Sequence, residues 1–156
     1  MSDRDALGRP LLVLFICNHC PFVKHIRHEL AAIGRAYIPK GVAIAAVSSN
    51  DPATYPDDAP EQMAIEACDA GYLFPYLFDA TQEVARRFDA QCTPDIYLYD
   101  RDHRLVYRGQ LDDSRPKSEI AVTGRDLRRA LDGVLAGQPP LEVQMPSVGC
   151  SIKWKA

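Results

Sequence analysis

Leu11-Leu12-Val13-Leu14-Phe15-Ile16 runs directly into Cys17-Asn18-His19-Cys20-Pro21, and the fold follows from how these two pieces join. A continuous apolar run of this length reads as a strand buried on both faces, as at the centre of a parallel sheet. Beyond it Phe22, Ile26, Leu30, Ile33 and Tyr37 recur every three or four residues, which makes one apolar helical face. Pro21 suits the first helical turn, where its missing N–H has no partner to lose. Gly41 ends this helix, and residues 42–48 form a second buried strand. A strand, helix, strand unit of this size pairs its strands in parallel through a right-handed crossover. Cys17 is therefore expected at a helix N-terminus, above the sheet.

The remaining elements follow from the same two periods. Residues 51–58 are turn-rich, and residues 60–69 predict a helix with Met63, Ala64, Ala67 and Cys68 inward, closed by Gly71. Cys68 is expected to be packing. Residues 74–78 predict a short strand, 81–88 a short helix with Val84, Ala85 and Phe88 inward, and 96–99 and 105–107 a hairpin joined through Asp100-Arg101-Asp102-His103. Thr123 with Asp126 three residues on has the form of a capping box, and Leu127, Leu131, Val134 and Leu135 give the closing helix its buried face before Gly137 and Pro139-Pro140 stop it. No repeat or low-complexity segment interrupts the chain. The expected organisation is one domain over residues 1–137 and a C-terminal tail, 138–156, packed on it.

Composition narrows the function. The 156 residues, 47% hydrophobic and 25% charged, suffice to bury a core without disulfides. A net charge of −3 argues against wrapping nucleic acid or lying on an anionic membrane, since both need a concentrated positive field. The one apolar run near the N-terminus is too short to span a bilayer and follows Asp3, Arg4, Asp5 and Arg9 rather than a purely basic signal region, so a cytoplasmic location is expected. Five cysteines are odd in number and sparse, unlike the sets that staple small secreted domains.

The spacing of Cys17 and Cys20 points to thiol chemistry. The thiolate is the nucleophile, and a helix N-terminus favours it through unpaired N–H groups and the positive end of the dipole. On this reading Cys17 attacks and is the more acidic thiol, while Cys20, one turn on, resolves a mixed disulfide. His19 between them can stabilise the Cys17 thiolate by charge or hydrogen bond. His25, His28 and His103 read as ordinary surface or core. A structural disulfide is disfavoured because a two-residue loop gains little from closure. Zinc is disfavoured because no second C-x-x-C or H-x-x-x-H accompanies the first pair, and no metal site is expected. Cys92-Thr93-Pro94 gives a second signal. A proline there cannot donate to a ladder and belongs at a strand start, with a cis bond as one option, leaving the Thr93 backbone to pair with an extended peptide.

These residues together resemble the thioredoxin superfamily, in which a C-x-x-C pair at a helix start faces a cis-proline. The segment FPYLFDATQEVARRFDAQCTPDIYLYD, residues 74–100, resembles the redoxin branch, which includes peroxiredoxins of the alkyl hydroperoxide reductase/thiol-specific antioxidant type. FICNHCPFVKH, SSND, YRGQLDDSRP, VTGRDL and PSVGCSIKWK are similar to peroxiredoxin-related, thioredoxin-like proteins of the redoxin family. The resemblance implies an α/β thioredoxin fold: a central mixed sheet of about five strands, helices on both faces, and a redoxin-type insert before the cis-proline. It also implies an N-terminal hairpin that this sequence does not contain. Peroxiredoxins carry a threonine three residues before the cysteine, where Leu14 stands here, which weakens peroxide chemistry. The histidine position resembles that of protein disulfide isomerases and implies a pair more oxidising than a thioredoxin.

The leading expectation is a thiol-disulfide oxidoreductase in which Cys17 attacks, Cys20 resolves, His19 tunes, and Thr93 and Pro94 dock the substrate. Its partners are protein or small-molecule disulfides, with peroxides as an option, and a thiol reductant; no cofactor is implied. The alternatives are a thiol peroxidase, in which Cys17 becomes a sulfenic acid, and a metal-binding module using the pair with a distant histidine such as His103. Cys92 and Cys150 are candidate auxiliary thiols. In the tail, Ile152 and Trp154 are expected to anchor while Lys153 and Lys155 stay wet.

Overall fold

The computed structural model describes residues 1–156, apart from the side chain of Asp3. The opening apolar run forms β1 (Leu11–Phe15), followed by α1 (Pro21–Tyr37) and β2 (Ala43–Ser48), with β1 and β2 parallel. Next come α2 (Pro60–Ala70), β3 (Tyr76–Phe78), α3 (Glu83–Phe88), β4 (Cys92–Thr93), β5 (Asp95–Tyr99), β6 (Leu105–Gly109), α4 (Arg125–Leu135) and β7 (Cys150–Ser151). The main sheet has the order β3-β2-β1-β5-β6. Its β3, β2 and β1 run parallel, and β5 and β6 return antiparallel as the expected hairpin. This is the thioredoxin-like α/β fold.

The sheet is covered on both sides, which explains why β1 is apolar at every position. Leu12, Leu14 and Ile16 point with Ile44, Ile96 and Leu98 into a core closed by α1 and α4. Val13 and Phe15 point the other way, with Val47 and Tyr97, onto Ala85, Ala90 and Ile152. A two-sided sheet demands such runs, because alternate side chains face opposite layers.

Several expected inward positions are corrected. On α1 the expected Ile26, Leu30, Ile33 and Tyr37 are buried, and Val23 rather than the half-buried Phe22 opens the stripe. On α2, Met63 and Ala70 are buried while Ala64 and Cys68 are exposed, so Cys68 is not core packing. Val84 on α3 is exposed as well.

The capping box at Thr123 does not form. The N-cap of α4 is Gly124 in the left-handed region at φ 69°, a conformation that suits glycine. The backbone N–H groups of Thr123 and Gly124 both donate to Asp112, each at 2.8 Å. A buried carboxylate from a distant loop thus replaces the local cap. Among the described residues, no helix is long and apolar enough to cross a membrane.

Candidate active site

The chain leaves β1 at Phe15, passes Cys17, Asn18 and His19 as a bend, and enters α1 at Pro21 with Cys20 as the N-cap. The sequence expectation placed Cys17 in the field of the helix start. Proline at the first helical position instead makes Cys20 the N-cap, and the Val23 N–H, which donates to the Cys20 carbonyl at 3.1 Å, also favours the Cys20 thiolate. Both cysteines are free thiols and both are buried, Cys17 keeping 2% of its surface exposed and Cys20 none.

The second strand of the site lies opposite. The bond between Thr93 and Pro94 is cis. Thr93 Oγ1 lies 3.5 Å from Cys17 Sγ, and the Cys20 thiol donates to the Thr93 carbonyl at 3.3 Å. Thr93 therefore touches both sulfurs.

The two thiols bias each other's ionisation. Cys20 is held down at about 4, chiefly by Cys17, aided by Cys150 and the Val23 N–H, against the opposing effect of burial. Cys17 is raised far above the ordinary thiol value by Cys20, by burial and by the nearby charge of Asp58, with Thr93 opposing.

Asp58 organises the loop and was missed in the sequence reading. Its fully buried carboxylate accepts from the backbone N–H of Asn18 at 2.7 Å and of His19 at 3.2 Å, from Asn50 Nδ2 at 2.9 Å, and from His19 Nδ1. His19 also stacks on Tyr55, with centroids 4.9 Å apart. Its ring thus addresses Asp58 directly, with a ring nitrogen also within 4.8 Å of Cys17 Sγ. Tyr76 holds Asn18 by donating its hydroxyl to Oδ1 at 2.9 Å. One ligand atom each from Cys17, His19 and Asp58 lie within 4.8 Å of one another, but both Asp58 oxygens are already engaged by protein donors.

The other sequence candidates separate. Cys92 points away from the pair, donates to the Pro94 carbonyl at 3.5 Å, and is pushed up to about 11 by burial and by Asp95. His103 sits in the β5–β6 turn, at the Leu11 end of β1 and so at the opposite end of the sheet from Cys17. His25 bonds Ser114 at 3.0 Å.

Cys150 does join the site. The tail returns along the protein so that β7 pairs antiparallel with β4, setting Thr93 opposite Cys150 and Cys92 opposite Ser151. Cys150 packs against the core that holds Cys17 and Cys20, and its thiol is pushed up to about 11, first by burial and then by Cys20. Ile152 is the buried anchor of this tail; Trp154, expected to be a second one, is 43% exposed beside Arg86.

A dithiol at the start of α1, facing a strand that opens on a cis-proline, defines a thioredoxin-like redox protein. The family model described as AhpC/TSA matches residues 1–108, and the chain belongs to that family, which gives it a thiol-based redox role. An uncharacterized conserved protein from Geobacillus kaustophilus is 57% identical over 96% of this chain and 79% of its own, with a TM-score of 0.93. A hypothetical protein from Sinorhizobium meliloti is 48% identical over 99% of this chain and 84% of its own, with a TM-score of 0.96. A thiol-disulfide isomerase from Corynebacterium glutamicum shares the fold at 21% identity, covering 87% of this chain and 86% of its own, with a TM-score of 0.70. No curated protein matches the chain.

Proposed function

We propose that the chain is a thiol-disulfide oxidoreductase, and the observation that carries this reading is the placement of both sulfurs, Cys17 and Cys20, against Thr93 beside the cis-proline. Cys20 is fully enclosed and lies at the N-cap of α1, whereas Cys17 precedes the helix and keeps 2% of its surface exposed, which favours Cys17 as the attacking sulfur. Cys20 keeps the proton that it donates to the Thr93 carbonyl, and ionisation of Cys17 leaves the charge there. That thiolate attacks one sulfur of a protein or small-molecule disulfide, the substrate S–S bond breaks, and one substrate thiolate leaves. Cys20, giving its proton to the first departing group, attacks Cys17 and expels the second substrate half as a thiolate. Two electrons have then passed to the substrate, and the Cys17–Cys20 disulfide awaits an external thiol reductant.

The test is oxidation of the reduced chain by oxidised glutathione, with acid trapping and peptide mapping. The expected result is two equivalents of glutathione released per Cys17–Cys20 disulfide formed, and a stable mixed disulfide on Cys17 in Cys20→Ser. A mixed disulfide confined to Cys20 would reverse the roles, and no disulfide at either position would remove the function.

A second reading, peroxide reduction, is favoured by family membership and by the Thr93 hydroxyl beside Cys17, which supplies the polar contact that Leu14 cannot. Cys17 would take oxygen from the peroxide as a sulfenic acid, and Cys20 would condense with it, releasing water. Hydrogen peroxide should then accumulate sulfenic acid on Cys17 in Cys20→Ser.

A further inference from the structure

The residue expected to receive an extended substrate already has a partner. Thr93 and Cys92 pair with Cys150 and Ser151 of the chain's own tail, in the antiparallel register an added peptide strand would use. The fit is close: a Cβ at Gly149 would lie 2.0 Å from the Thr93 carbonyl oxygen and 3.1 Å from Pro94 Cδ, so only glycine is accommodated without movement. The tail is fixed on both sides of this contact. Ser147 Oγ donates to the Gly109 carbonyl at 2.7 Å, and the Ile152 N–H donates to the Gln91 carbonyl at 3.2 Å. The Lys153 N–H donates to Asn50 Oδ1 at 2.8 Å, and Asn50 in turn donates to Asp58, which organises the loop between the cysteines.

This placement sets a third sulfur against the pair. Cys20 Sγ lies 3.3 Å from the Thr93 carbonyl, Cys150 stands opposite Thr93 on the paired strand, and Cys150 packs against the same core that holds Cys17 and Cys20. A tail needed only as packing has no requirement for a thiol at the residue that faces Thr93. Cys92, one residue along the same strand, is turned away and shows what a bystander thiol looks like here.

We propose that Cys150 is a third redox-active thiol of this centre, exchanging with the Cys17–Cys20 disulfide at Cys20 while the tail strand holds the place of a substrate peptide. The inference deepens the oxidoreductase reading and rests on it. In the exchange the Cys150 thiolate attacks Cys20 and the S20–S150 bond forms as the S17–S20 bond breaks. Cys17 leaves as a thiolate and takes the proton that Cys150 gave up. Nothing is oxidised or reduced overall; the disulfide moves one sulfur inward, and Cys17 is restored as a free thiol. A chain so oxidised keeps its attacking thiol while its resolving thiol is held by its own tail. Reduction of Cys20–Cys150 by an external thiol returns all three.

The test is oxidation of the full chain with one equivalent of diamide, acid quenching, alkylation and mass-spectrometric mapping of linkages. In the wild type both Cys17–Cys20 and Cys20–Cys150 linkages are expected. In Cys17→Ser and Cys17→Ala the Cys20–Cys150 linkage should rise severalfold and become the principal intramolecular bond, and in Cys150→Ser only Cys17–Cys20 should remain. Absence of Cys20–Cys150 from the wild type and from every variant that folds, with Cys17–Cys20 present, overturns the role of Cys150 and leaves the oxidoreductase reading standing. Absence of Cys17–Cys20 from the wild type overturns that reading instead. The wild-type digest decides by itself if neither Cys17 variant folds.

Discussion

A carboxylate that accepts hydrogen bonds from Asn18, His19 and Asn50 fixes the loop between the two cysteines, and its charge opposes any negative charge on Cys17. His19 lends its Nδ1 to that carboxylate and so offsets the opposition. The two residues should therefore act on Cys17 with opposite signs. Asp58→Asn should speed alkylation of Cys17, and His19→Ala should slow it, each by up to about tenfold, the equivalent of about 1.4 kcal/mol in the proton equilibrium. Mapped alkylation rates across pH check this, and shifts of the same sign would show that Asp58 acts only as a loop fastener. The opposite shifts of the two thiols have a consequence for stability as well. Cys20 is depressed to about 4 from the ordinary 9.0, so its thiolate contributes stability that is present above pH 9 and fades as pH falls toward 4. Cys17 is raised, so its contribution is present below 9 and fades above it. The reduced protein should be most stable relative to the oxidised one near pH 9, which paired denaturant titrations of both forms across pH would measure; a difference flat in pH would contradict the opposite shifts of the two thiols.

Among the elements, α4 shows how a remote side chain replaces a local signal. Asp112 accepts from the backbone N–H groups of Thr123 and Gly124 and from Ser114. Burial alone would raise its carboxyl, but these donors hold it below its ordinary value of 3.8. Its contribution is thus present above that value and lost as pH falls through the lower folded value. Asp112→Ala leaves buried donors unpaired and should cost about 1–3 kcal/mol, with the acid limb of the stability curve flattened; chemical denaturation at neutral and acidic pH checks both. The long elements were legible in the sequence because β1, α1 and β2 carry full periods of apolar residues. The start of α1 was not, since Pro21 is compatible with either cysteine lying at the helix end. The pairing of β4 with β7 was invisible for a simpler reason: strands of two residues have no period to read. Asp58 could not be told from Asp57 beside it, because burial in a proline-rich turn is decided by the packing of residues far along the chain.

Across the whole molecule the tail works as a strap from β6 to α3, crossing the site on its way. Gln82 fastens its far end, donating from Nε2 to the Lys153 carbonyl at 3.0 Å and accepting from the Lys155 N–H at 3.0 Å. Ile152 fills the second core against Val13, Phe15 and Tyr97. The strap passes Thr93 at Gly149, where the backbones approach too closely for a side chain. Gly149→Ala places a methyl group against the Thr93 carbonyl, and neither strand can yield without breaking the β4–β7 pairing. The expected cost is about 1–3 kcal/mol, the range for overpacking a close contact. Because Ile152 and Gln82 hold the tail beyond this point, the effect should be local: the segment around Cys150 lifts while the domain stays folded. Amide exchange should then accelerate at residues 148–151 and at Cys92 and Thr93, and alkylation of Cys20 should accelerate because Cys150 no longer covers it. Unchanged exchange at Thr93 in a folded Gly149→Ala protein would show that the strap does not depend on this contact.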